Sequence, residues 1–168
     1  SAVSNTTLGY LDATSSIQTQ LNAKASAITE SSVYLSNCSG TGATNTKILY
    51  FASNTVTGSA ITYTASSTNG DSFTINTAGL YIMYIHCYAT SNYGAFGFSK
   101  NSSQLSTPIP SITAANAVGW NSMPGNGTVT CCTAITWCAV NDVIRPHGDS
   151  TNYGSGAGNG EVYITRIA

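Results

Sequence analysis

The sequence predicts an all-β protein, a sandwich or jelly roll, preceded by a short helix. Three observations carry this. From Lys47 onward the chain divides into short runs of β-branched and aromatic residues separated by Gly, Asn, Ser and Asp, the pattern of strands and turns. No helical periodicity of useful length appears after Ile28. Between Gly79 and Ala89 one run is apolar on both faces, whereas an antiparallel strand usually buries one face and wets the other. Such a strand needs a second surface to pack on, and in a chain of 168 residues the simplest source is another copy of the chain.

Residues 1–30 read as an N-terminal arm and helical stem. Thr14 to Ile28 (TSSIQTQLNAKASAI) holds good helix formers and neither Gly nor Pro. Tyr10, Thr14, Ile17, Leu21, Lys24 and Ile28 recur at alternating steps of four and three, the seam of a coiled coil, and Asp12, Thr14 or Ser15 can cap its start. A helix of about four turns is marginal alone in water, so Ile17, Leu21 and Ile28 are expected to pack against other copies of the stem or the head. A single amphipathic helix lying on its own domain is the other reading. Residues 31–46 (SSVYLSNCSGTGATNT) read as a loose linker, within which Val33, Tyr34 and Leu35 can form a short strand. The head domain then spans 47–168, with strands expected over 47–52, 55–57, 61–64, 72–76, 79–89, 94–100, 111–114, 117–121, 128–141, 143–147 and 161–167. Its 79–89 strand sets Tyr81, Met83, Ile85 and Cys87 on one face and Leu80, Ile82, Tyr84, His86 and Tyr88 on the other. The 128–140 run divides likewise, with Val129, Cys131, Ile135 and Trp137 against Cys132, Ala134, Cys138 and Val140.

Composition excludes several classes. Only 7% of residues are charged and the net charge is −1, with no basic patch, so nucleic-acid binding lacks its electrostatic term. Ser, Thr, Asn and Gly supply the wet surface instead, a composition associated with extracellular adhesins and viral fibres. No membrane insertion is expected: Leu80 to Ala89 falls short of the roughly 20 residues of a spanning helix, and no secretory signal is evident. Opening at Ser1 without a Met, the chain is expected to be processed or cut from something longer. Of its five cysteines, Cys38, Cys87, Cys131, Cys132 and Cys138, at least one is unpaired within the chain. None has zinc-type spacing, and Cys132 and Cys138 on one extended strand would stand roughly 20 Å apart. They read as small buried hydrophobes, as one disulfide from Cys87 to the 131–138 strand, or as a bond between subunits.

Phe73, Gly79 and Tyr81 resemble the signature of the complement C1q and tumour necrosis factor (TNF) type jelly roll: a Phe, five residues, a Gly, any residue and a Tyr, then alternating aromatics. Phe96 to Leu105 (FGFSKNSSQL) resembles the following strand and its Lys-Asn turn. Ala139 to Ile144 (AVNDVI) resembles a late strand whose usual Gly-Asp turn is here Asn141-Asp142, and Glu161 to Ile167 the closing strand. Met83 and Ile85 stand where that family usually has aromatics. No collagen repeat precedes the head. Tyr10 to Ser26 instead resembles the helical spacer before distal domains of phage tail fibres and large-virus surface proteins. The resemblance implies a ten-stranded C1q/TNF-like jelly roll over 47–168 that assembles as a homotrimer, with apolar strand faces meeting at the threefold axis and a helical trimerisation stem. Tyr81, Ile82, Tyr84, His86 and Tyr88 are then trimer or core positions of one strand.

No catalytic residue, metal site or cofactor is expected. His86 lies mid-strand among apolar residues and reads as a core or interface histidine. The run Pro146-His147-Gly148-Asp149 can be read as a metal or sugar site, or as ordinary turn chemistry. The acidic residues are scattered, without the carboxylate pair of a glycosidase. The glycine-rich stretch Gly154 to Gly160 opens a strand instead of a helix, so it does not read as a phosphate loop. Trp120, beside Asn121, is a candidate sugar-stacking residue, or a core residue at a strand end. Tyr93, His147 and Tyr153 complete the candidate ligand loops. The expected function is that of a non-enzymatic virion surface protein, extracellular, the distal head of a fibre or spike that holds a host-surface receptor or glycan through three weak sites at once. The alternative is a capsid decoration or extracellular filament subunit with no receptor-binding role.

Overall fold

The computed structural model describes residues 17, 19, 30–88, 94–123, 129–149 and 160–167. Ten strands follow one another: β1 (Ser32–Thr41), β2 (Leu49–Thr57), β3 (Ile61–Thr64), β4 (Ser72–Ile75), β5 (Gly79–Tyr88), β6 (Gly94–Lys100), β7 (Ala117–Met123), β8 (Val129–Cys138), β9 (Val143–Gly148) and β10 (Gly160–Arg166). They form two five-stranded sheets, ordered β2-β1-β10-β5-β8 and β3-β4-β9-β6-β7. Neighbouring strands pair antiparallel throughout. This is a jelly-roll sandwich.

The period-two pattern of the strands builds the core. Tyr81, Met83, Ile85 and Cys87 of β5 are fully buried, and so are Val33, Leu35, Val162 and Ile164 on the flanking strands of the same sheet. Phe73, Ile75, Phe96, Phe98 and Ile144 from the other sheet complete one continuous cluster. Each such side chain contributes about 1.5–3 kcal/mol by leaving water. Buried polar groups are matched to partners. Asp71, wholly covered, accepts hydrogen bonds from the Phe51 N–H (2.9 Å), the Tyr63 hydroxyl (2.8 Å) and the Ser66 N–H (3.0 Å), and so joins β2, β3 and the turn before β4. Burial nonetheless pushes its carboxyl above the usual range, against the pull of those three bonds.

Several sequence expectations are corrected. The segment read as a loose linker contains β1, an interior strand between β2 and β10. Its Ser and Gly content conceals a strand with a bulge, where register shifts between Cys38 and Gly40 and Asn37 takes φ 62°. The runs at 47–52 and 55–57 merge into β2. The strand expected over 111–114 is absent. Two short 3-10 turns, Ile109–Ser111 and Ala114–Asn116, lie there instead, the first entered through Pro108. Val140, grouped with the inward residues of the 128–140 run, lies past the end of β8 and is exposed.

The 3-10 region packs Ile109 and Ile112 onto Ala95 and Ala117, covering the outer side of β6 and β7 with the protein's own chain. Within this sheet, glycine lets β6 and β7 approach each other closely. A Cβ added to Gly97 of β6 would lie 1.9 Å from the Gly119 carbonyl oxygen of β7. Among the described residues, no helix is long and apolar enough to cross a membrane.

Candidate functional site

Among the described residues, the outer face of the β2-β1-β10-β5-β8 sheet has no such cover. Because Tyr81, Met83, Ile85 and Cys87 point inward, Leu80, Ile82, Tyr84, His86 and Tyr88 point outward, each half-buried by its neighbours. On β8 the inward set is Cys132, Ala134 and Cys138, leaving Val129 (63% exposed), Ile135 (59%) and Trp137 (62%) on the surface. Tyr163 of β10 and Tyr34 of β1 join the same face.

Strand register arranges these side chains in rows. Leu80 stands opposite Trp137, Ile82 opposite Ile135, and Tyr88 opposite Val129. A central row runs Thr133, Tyr84, Tyr163, Tyr34 across β8, β5, β10 and β1. One row is polar, with Cys131, His86 and Glu161 side by side. The His86 Nδ1 lies 3.8 Å from a Glu161 carboxylate oxygen, and the His86 and Tyr84 rings are 6.0 Å apart. Tyr34 donates its hydroxyl to Glu161, which raises its pKa. Monomers seldom leave so large a contiguous apolar surface in water.

The polar row contains a thiol, an imidazole and a carboxylate, with Cys131 on the edge strand β8 and His86 and Glu161 on the interior strands β5 and β10. Among the described residues, no group of three His, Cys, Asp or Glu side chains is disposed to hold a metal ion.

The remaining sequence candidates divide. Tyr81 is a core residue, and its hydroxyl donates to the Thr77 carbonyl at 2.6 Å. Trp120, 45% exposed, and Asn121 lie on the surface of β7, the edge of the other sheet. The Asn121 side chain donates to the Cys131 carbonyl at 2.9 Å, linking the edges of the two sheets. His147, expected at the end of the 143–147 strand and also as a ligand-loop residue, is a buried residue of β9 and not part of a loop. Its Nε2–H donates to the Thr107 carbonyl at 2.8 Å, leaving Nδ1 a buried acceptor with no partner among the described residues. Burial holds this imidazole below its usual pKa, helped by the nearby charges of Arg145 and Lys47. Ile17 is helical and 53% exposed. Leu21, Ile28, Tyr93 and Tyr153 lie outside the described residues.

Sequence reasoning divided both β5 and the 128–140 run into two faces but assigned Tyr34 and Tyr163 to neither. The available signal was parity: once Val162 and Ile164 are core, Tyr163 must face out.

No family profile matches the sequence, and no curated protein matches it. Solved structures do match the fold. Murine APRIL at pH 8.5 superposes with a TM-score of 0.55 at 10% identity, covering 82% of this chain and 99% of that one. GITRL from bushbaby gives 0.51 at 12% identity over 83% and 95%, and pika GITRL gives 0.51 at 11% over 83% and 97%. At these identities the likeness is one of architecture, and the architecture is the jelly roll of the TNF and C1q type.

Proposed function

We propose that this protein is a non-enzymatic homotrimeric head whose subunits bury the outer face of the β2-β1-β10-β5-β8 sheet against one another and present their loops to a partner on a host surface. The observation that carries the reading is the uncovered apolar face itself, with Ile82, Tyr84, Ile135, Trp137 and Tyr163 projecting from one sheet. The resemblance to the C1q and TNF type jelly roll supports three copies about a common axis, with strand faces of this kind at the centre. Residues 1–30 serve as an arm and helical stem joined to the head, and the exposed helical Ile17 fits a contact between stems. The site of action is extracellular, on the surface of a virion. Receptor or glycan recognition falls to loops and edges away from the threefold, with Trp120 and Asn121 as the candidate contacts among the described residues. Three weak sites on one rigid head gain affinity together.

Light scattering on the purified chain tests the assembly. The expected mass is three times 17.3 kDa, and a monomer at micromolar concentration overturns the reading. A structural role in a capsid or filament is the second reading, favoured by a surface with so few charges to select a partner. Binding of the intact trimer to a glycan array or to host cells, lost in Trp120→Ala, separates recognition from decoration.

A further inference from the structure

We propose that Cys38 and Cys87 are a disulfide-forming pair that ties β1 to β5 across the intervening strand β10. Gly160, the first residue of β10, is the register partner of Cys87 on one side, and Cys38 of β1 flanks it on the other. The point a Cβ on Gly160 would occupy lies 2.7 Å from the Cys38 Cβ and 3.8 Å from the Cys87 Sγ. Directly opposed Cβ atoms on adjacent strands are ordinarily about 4.5–5.5 Å apart, so Cys38 leans over Gly160 far more than a regular ladder permits. The cause is the bulge in β1, where Asn37 has φ 62°, Gly40 has φ 120° and register shifts between Cys38 and Gly40. Both thiols are fully buried in the core cluster.

Two strand spacings, about 9.6 Å, would normally forbid a disulfide between strands that are not neighbours. Here the bulge brings one side chain inward, and the missing side chain of Gly160 leaves the passage open. The two thiols interact: hydrogen bonding with Cys87 favours the Cys38 thiolate, while burial keeps the Cys87 thiol protonated in the closed core. Closing the remaining gap needs a small inward movement of the bulged end of β1. The other cysteines are differently placed. Cys131 is on the outer sheet face, and the register of β5 with β8 sets Cys87 opposite Thr130 and Cys132 opposite Ile85.

The oxidant is a small-molecule disulfide such as oxidised glutathione, and it meets the thiols while β1 docks, before the core closes over them. The Cys38 thiolate attacks one sulfur of that disulfide and expels one glutathione thiolate. Cys87, still open to water at that stage, gives its proton to solvent, and its thiolate attacks the Cys38 sulfur of the mixed disulfide and expels the second. Two protein thiols give up two protons and two electrons, and one small disulfide becomes two thiols.

The test is to refold the full chain in a glutathione redox buffer, then alkylate under denaturing conditions and map peptides. Three of the five cysteines should be labelled and one cross-link should join Cys38 to Cys87. Five labelled cysteines, or a link to Cys132 or Cys138, overturns the proposal. The same measurement on Cys131→Ser removes coupling between chains and should give the same link. The oxidised protein should melt roughly 5–15 °C above the reduced one, because the bond closes a long loop. That difference should vanish in Cys87→Ser, and its persistence there would also overturn the assignment. The outcome does not depend on whether the head is a trimer.

Discussion

The two sheets of the sandwich share a core but treat their outer faces oppositely. The sheet containing β6 and β7 carries Ala95, Gly97, Ser99 and Ala117 outward, and the chain's own Ile109 and Ile112 fold down onto it. The sheet containing β5 and β8 carries Ile82, Tyr84, Tyr88, Ile135 and Trp137 outward, and no segment among the described residues covers them. Small residues admit a backbone at close range, while bulky ones hold it off and offer broad apolar contact. The difference teaches that apolar character alone does not identify an interface. Side-chain size on the face, together with whether the chain returns to cover it, separates self-packing from a surface left for a partner.

One pair of substitutions should break this comparison most sharply. Ile82→Asp puts a charge on the uncovered face, where burying it against a sister subunit costs several kcal/mol. Scattering should then report single chains whose circular dichroism is still that of a folded sandwich. Ile109→Asp puts the same charge under the covered face. It should cost about 3–5 kcal/mol of fold stability, read as a lowered urea midpoint, because Ile109 is 1% exposed. If both changes merely lower the midpoint, the two faces do the same job and the distinction fails.

Gly97→Ala sharpens the account of the covered side. Its new methyl would collide with the Gly119 carbonyl, so β6 and β7 must separate, at a cost of about 1–3 kcal/mol in denaturant titration. The equivalent change at an outward position of the open face, Thr133→Ala, should move the midpoint by less than about 0.5 kcal/mol in the monomer.

The covered face also sets a pH dependence. His147 is held below its ordinary pKa by burial and by Arg145 and Lys47. A depressed folded pKa means its contribution to stability is complete above the unfolded value, about 6.5, and is lost as pH falls through the folded value. Asp71 has the opposite sign. Its raised folded pKa gives a contribution present below the ordinary carboxyl value and lost as pH rises through the elevated one. Urea midpoints measured from pH 7 down to pH 5 should therefore fall in wild type relative to His147→Gln, which keeps the Asp71 contribution and loses that of His147. An equal decline would remove His147 as the cause. The smallest effect on the fold is that of Trp120→Ala, within about 1 kcal/mol because the ring is exposed, while any sugar binding through it should disappear.

Much of the sandwich was legible because strand parity is local. The alternation of β5 can be read directly from LYIMYIHCY, and it showed two apolar faces and the need for a cover, without saying which face is inward. β1 was not legible as a full strand. Its Ser, Asn and Gly residues resemble a linker, and only pairing with β2 and β10 on both sides makes it regular. His147 was misjudged because Pro146-His147-Gly148 has the composition of a turn. Pro146 fits in β9 because β4 pairs with that strand only at Val143 and Ile144, so the ladder on that side has ended before the residue that lacks an N–H. The 3-10 region was taken for a strand on its β-branched residues, and the two prolines, Pro108 and Pro110, were the overlooked signal. For the candidate site, the rows across four strands depend on long-range register, which no single stretch of sequence encodes.

Among the described residues, the uncovered face sets His86 beside Glu161, 3.8 Å apart, amid tyrosines and aliphatic side chains. An assembly closed through it is held by the exclusion of solvent far more than by charge. Sodium chloride at moderate ionic strength should leave the assembly intact, sulfate should tighten it, and chilling should loosen it. Heads joined in this way would stay together in brine and come apart most readily in the cold.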